Sequence, residues 1–161
     1  MMIHKIAFQI GLPISILFFL FSTLAAWYEG SEIVNNPFEW KYSTPFTQLL
    51  YEEISDYKDI SQLDYFVYAA KFSPAFTIML ISALYIFAVI TYLFLKKINF
   101  NQLFPAIILF SGIALIFVSY LLLDSTTDGA NTIVWVLLVS GVIYIFVGVL
   151  YNSKKFRRLK N

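Results

Sequence analysis

Residues 74–95 read PAFTIMLISALYIFAVITYLFL, twenty-two positions without one Asp, Glu, Lys, Arg or His. A helix rises about 1.5 Å per residue and a bilayer's hydrocarbon core is about 30 Å thick, so about 20 apolar residues suffice to cross it. The ends of the stretch are punctuated as a helix should be. Ser73 offers an N-cap hydroxyl, Pro74 occupies a first-turn position where its missing N–H costs nothing, and Lys96-Lys97 close the run. Three further stretches meet the same criterion, at about 6–27, 103–123 and 132–151, and none of them contains Asp, Glu, Lys, Arg or His. Pro105 sits in a first turn like Pro74, whereas Pro13 falls inside the first span, where it frees a carbonyl and predicts a kink that Ser15 or a neighbouring helix must satisfy.

The whole composition agrees with a partly lipid solvent. The chain of 161 residues is 60% hydrophobic and 13% charged, which leaves too little polar surface for a water-facing domain. A net charge of +1 gives no field to concentrate nucleic acid, and zero cysteines exclude disulfides, thiolate metal sites and thiol redox chemistry. The sequence therefore predicts an all-α membrane protein, a single four-transmembrane-helix bundle with the bilayer as its first partner. The first span has a second reading as a signal peptide, because Lys5 precedes it and Thr23-Leu24-Ala25-Ala26 offers small residues for cleavage. Its length exceeds the usual signal core of about 7–15 residues, which favours a retained anchor.

Basic residues set the expected orientation. Lys5, Lys96, Lys97, Lys154, Lys155, Arg157, Arg158 and Lys160 fall on one side of a four-span arrangement, and Lys41, Lys58 and Lys71 on the other. The richer side is the cytoplasmic one, so both termini are expected inside and the loop 28–72 outside. All ten acids, Glu29 to Asp128, then lie outside. From Tyr28 to Ala70 the loop has eight acids and two lysines, a local charge near −6. Thr44-Pro45 reads as a helix start, with Phe46, Leu49, Leu50 and Ile54 on one face and Thr47, Gln48, Glu52 and Glu53 on the other. Ser61 and Asp64 read as a capping pair for a second short helix through Tyr65, Phe66 and Tyr68.

The segment Trp27-Tyr28-Glu29-Gly30-Ser31, continuing through Asn36-Pro37-Phe38-Glu39-Trp40-Lys41-Tyr42-Ser43-Thr44-Pro45-Phe46, resembles the stretch after the first span in a family of small, uncharacterised Firmicutes membrane proteins with two or four helices. The resemblance covers about a third of the chain and does not extend over the last two helices. It implies a bacterial cell-membrane location and no activity, so no catalytic residue is carried over.

Two constellations are candidates for function. The aromatic and charged residues Trp27, Tyr28, Glu29, Glu39, Trp40 and Tyr42 form an expected interaction surface on the outer loop, suited to a membrane or extracytoplasmic protein partner. Ser82, Tyr85, Val89 and Tyr92 on the second span, and Ser140, Tyr144, Gly148 and Tyr151 on the fourth, recur at three- and four-residue spacing, and are expected to form a polar stripe facing the bundle interior. Hydroxyl and small residues of this kind more often pack helices together than line a passage, and Gly112 and Ser119 on the third span fit the same use. Asp124 and Asp128 stand four apart, but Asp128-Gly129 is a strong turn pair and a solvated turn is the expected reading. The single histidine, His4, precludes multi-histidine metal sites. No catalytic residue, metal or cofactor is predicted. The leading expectation is a non-enzymatic accessory, sensory or protective membrane protein acting through its outer loop; a carrier or channel lined by Ser and Tyr hydroxyls comes second, and a lipid-modifying enzyme third.

Overall fold

The computed structural model describes residues 7–51, 54 and 56–160, all of which are helical, turn or irregular. His4, Lys5, Glu52 and Glu53 lie outside the described residues. Among the described residues seven α-helices follow one another: α1 Leu12–Gly30, α2 Pro37–Ser43, α3 Pro45–Gln48, α4 Gln62–Phe72, α5 Pro74–Lys97, α6 Phe104–Leu121 and α7 Asp128–Lys160. Four of the helices, within Gln9–Asn35, Pro74–Lys97, Phe104–Leu121 and Asp128–Ser153, are long and apolar enough to cross a membrane.

Only 11–33% of each apolar window is buried against protein. Phe21, Phe110, Phe117 and Phe146 stand outward, each at least 60% exposed. In water such surface would be unfavourable by roughly 25 cal/mol per Å². In hydrocarbon that term vanishes, and helices associate through close packing and interhelical hydrogen bonds instead. The structure uses both. A Cβ built on Gly112 would lie 2.8 Å from the Gly141 carbonyl, and the reverse holds for Gly141, so α6 and α7 cross backbone to backbone. Ser119, buried, donates to the Val134 carbonyl across the same pair at 2.9 Å.

These contacts organise the long helices as two pairs, α1 with α5 and α6 with α7, joined where α7 lies against α4 and α5. No extensive contact links α1 to α6 or α7, so the helices do not close around a common centre as the simple bundle expectation has it. A cluster of Leu95, Phe104, Ile108 and Tyr144 seals the joint, with Phe104 edge-on to both Tyr92 and Tyr151 at 5.3 Å.

Helix boundaries follow local chemistry. Ser73 caps α5 by accepting from Ala75 N at 3.1 Å, and Ser61 caps α4 by accepting from Leu63 N at 3.3 Å. A π-helical turn, Ala7–Gly11, immediately precedes α1 and places Pro13 in that helix's first turn; Ser15 Oγ donates to Gly11 O at 2.8 Å. The wide turn takes up the distortion that Pro13 would otherwise impose on a helix interior. Helix α7 begins four residues before the expected 132, because Thr127 Oγ1 accepts from Ala130 N and provides the cap. The helix expected from Thr44 towards Ile54 is instead the single turn α3, which leaves Leu49 and Leu50 outside it and strongly exposed.

Candidate functional site

The described residues between Ser31 and Phe72 form a cap on the joined ends of α1 and α5. Its two short helices, α2 and α3, each open on a proline, which sets φ for a first turn but supplies no acceptor for the free N–H groups that follow. Thr44, in the N-cap position of α3, turns its hydroxyl back to the Trp40 carbonyl and makes no capping bond. The acceptor comes from α4. Asp64, fully buried, accepts from Phe46 N at 2.9 Å through one carboxylate oxygen, and from Thr47 N at 2.8 Å and Thr47 Oγ1 through the other. Thr47 Oγ1 in turn accepts from Ser61 N at 2.8 Å, so one buried carboxylate and one buried hydroxyl join α3 to the start of α4. The expected Ser61–Asp64 capping box is therefore half formed: Ser61 caps its own helix, whereas Asp64 caps a different one. Thr47, expected on the polar outer face, is inside for the same reason.

A second clasp holds α2. Lys71 Nζ donates to Tyr42 O and Ser43 Oγ, each at 2.8 Å, and lies 3.5 Å from Glu39; Ser43 Oγ donates to Glu39 at 2.7 Å. A third bond ties the cap to the spans: Ser73 Oγ donates to Glu29, linking the end of α1 to the α4–α5 corner. At that corner Gly30 is required, since a Cβ there would sit 2.0 Å from the Tyr65 carbonyl oxygen.

The six expected surface residues divide between two duties. Glu29 and Glu39 are consumed by the clasps just described, and half-buried Trp40 donates its indole N–H to Ile33 O at 2.8 Å. Trp27 leans on Tyr65 with ring centres 6.3 Å apart. Tyr28 and Tyr42 remain exposed, joined on the outside by Phe38, Leu49 and Leu50. Asp64, Thr47, Ser43 and Lys71 were not singled out as functional residues in the sequence, and since Thr44 offers a hydroxyl at the start of α3, no local signal assigns Asp64 to that helix.

The hydroxyl stripes do not share one passage. Tyr144 is buried and its hydroxyl donates across to the Leu84 carbonyl of α5. Ser82 and Tyr85 instead face α1, where with Ser15, Phe18, Ile78 and Ile81 they line a mainly apolar groove of about 350 Å³. Tyr92 packs on Phe104, and Ser140 is half-buried on α7. Among the described residues no group of three or more His, Asp or Glu side chains is placed to hold a metal ion.

A family profile described as "Domain of unknown function (DUF4306)" matches residues 8–95, more than half of the chain. The chain belongs to the DUF4306 family. Its match runs from the start of α1 to the last turn of α5 and includes the whole cap. The chain is also 38% identical over 96 residues to "Uncharacterized protein YjdJ" of Bacillus subtilis (strain 168), an alignment that spans 58% of this chain and 87% of that relative. No solved structure matches. The DUF4306 unit thus coincides with the α1–α5 pair and its cap, and α6 and α7 lie beyond it.

Proposed function

We propose that this DUF4306 protein is a non-enzymatic, four-span bacterial membrane protein, with both termini in the cytoplasm and the cap outside, and that it works as an accessory or protective component by presenting the cap to a protein partner. The buried Asp64 carries this reading. Burying a carboxylate is costly unless it is fully hydrogen-bonded, and here three donors compensate it, so chain segments of little intrinsic helicity are held in one shape. A rigid scaffold that leaves Phe38, Tyr42, Leu49 and Leu50 outward suits recognition, since anchors already ordered lose little entropy on binding. The segment's excess of acids opposes an anionic lipid surface and favours a partner with basic residues around an apolar patch.

Photocrosslinkers placed at Tyr42 and Leu49 in native membranes test it. The expected result is one discrete protein adduct at both sites, lost with Leu50→Asp and weakened by salt. An absence of protein adducts at both sites in a protein whose cap is intact would overturn the reading. Transport is the second reading, resting on the groove at Ser82 and Tyr85; that groove does not reach Tyr144.

A further inference from the structure

Helices α6 and α7 lie outside the family unit, yet they meet it through a fitted surface. Three contacts, one on α4 and two on α5, define the joint. At the outer end, Gly129 in the first turn of α7 sits on the last turn of α4: a Cβ there would lie 2.3 Å from the Lys71 carbonyl oxygen and 2.6 Å from that of Ala70. In the middle, Tyr144 donates to the Leu84 carbonyl of α5. Below it, Leu95 of α5 closes the buried cluster with Phe104, Ile108 and Tyr144. The covalent link contributes little to this arrangement. Residues 98–103 make a tight turn, with Asn99 at φ 60°, and α6, which directly follows it, packs on α7 far more than on α5.

The family boundary separates the same two parts. The profile ends at residue 95, and the 96 matched residues already make up 87% of the Bacillus subtilis relative, which leaves that protein too few for a second pair of spans. A relative therefore exists that is too short for both the matched segment and a further helical hairpin.

We propose that Phe104–Lys160 is a partner subunit carried in cis: a two-helix membrane protein docked on the α4–α5 face of the DUF4306 unit, which holds its place through the Gly129, Tyr144 and Leu95 contacts rather than through the connecting turn. The face is thus an interaction surface for a membrane-embedded helical hairpin with a small residue at the outer end of its contacting helix. Small residues permit such close backbone approach, and interhelical hydrogen bonds add to it.

The test uses the full chain with a protease site inserted between Asn99 and Phe100 and a different tag at each end. After cleavage in membranes and mild solubilisation, the C-terminal fragment is expected to be retained in full on the N-terminal tag. Gly129→Leu, which drives a side chain into two backbone carbonyls, should lower the retained fraction roughly tenfold, a change of about 1.4 kcal/mol. Tyr144→Phe should weaken retention roughly threefold, in line with interhelical bonds of about 0.6 kcal/mol, and carries the test if Gly129→Leu does not fold. Separation of the unsubstituted fragments on cleavage, or full retention by the folded variants, would overturn the proposal.

Discussion

Asp64 and Thr47, seventeen residues apart, share two hydrogen bonds in the buried centre of the cap, one from the Thr47 backbone and one from its hydroxyl. Because Asp64 also accepts from Phe46 N, truncating it would strand three donors at once, the two of Thr47 being buried. An unsatisfied buried donor costs about 1–3 kcal/mol. Asp64→Ala is therefore expected to destabilise the cap by roughly 3 kcal/mol or more. Asp64→Asn, which keeps the shape and one acceptor oxygen, should cost about half as much. Hydrogen exchange over residues 44–48 measures both; an unchanged rate in the alanine variant would contradict the arrangement.

Gly30 brings the end of α1 against the backbone of α4, where a Cβ would lie 2.0 Å from the Tyr65 carbonyl oxygen. The nearest atoms are the backbone oxygen and carbon of Tyr65, which no rotamer change can move, so Gly30→Ala must push α4 off the end of α1. Overpacking of this kind costs about 1–3 kcal/mol, and the Ser73–Glu29 bond would be strained with it. Ser31→Ala, one residue on, removes only an exposed hydroxyl's bond to Tyr28 O and should change stability by less than about 0.5 kcal/mol. Thermal unfolding in detergent separates the two, and equal effects would be inconsistent with the close approach.

The proposed orientation gives a labelling pattern. With no native cysteine, single cysteines at Ser31, Ser61 and Ser125 should react with an impermeant maleimide on intact cells, and those at Asn99 and Ser153 only after lysis. Labelling of position 61 that requires lysis would invert the topology, and with it the outward cap.

How much of this was legible depended on distance along the chain. The four long helices could be read because each is an unbroken apolar run of membrane-crossing length, a signal contained within each segment. Caps at Ser61 and Ser73 were readable too, since each satisfies a donor two residues away. Asp64 was misassigned because a carboxylate three residues after Ser61 fits a local capping box, and nothing local says that the Thr44 hydroxyl turns to Trp40 O instead of capping α3. The α3 helix was drawn too long because apolar spacing continues through Leu49, Leu50 and Ile54, although Leu49 and Leu50 stand outward. Likewise Ser82 and Tyr144 look equivalent by periodicity, yet one turns to α1 and the other to α5. Periodicity identifies a face but not its neighbour.

Lys71 links the cap's second clasp to the helix on which α7 rests. Its ammonium group serves Tyr42 O and Ser43 Oγ at 2.8 Å each, while the carboxylate of Glu39 is farther, at 3.5 Å. Direct hydrogen bonds rather than the ion pair should therefore dominate its contribution, since a partly exposed pair is worth at most about 1 kcal/mol. Lys71→Met keeps the aliphatic stem and removes all three contacts. Ser43 still donates to Glu39, so α2 should loosen rather than detach. A loss of about 1–2 kcal/mol in local opening free energy is expected, seen as roughly tenfold faster amide exchange over residues 39–44. Residues 46–48, held by Asp64, should exchange at their original rate. If α2 keeps its protection, Lys71 is not the clasp; if residues 46–48 accelerate equally, the two locks open as one unit and the cap is a single cooperative element.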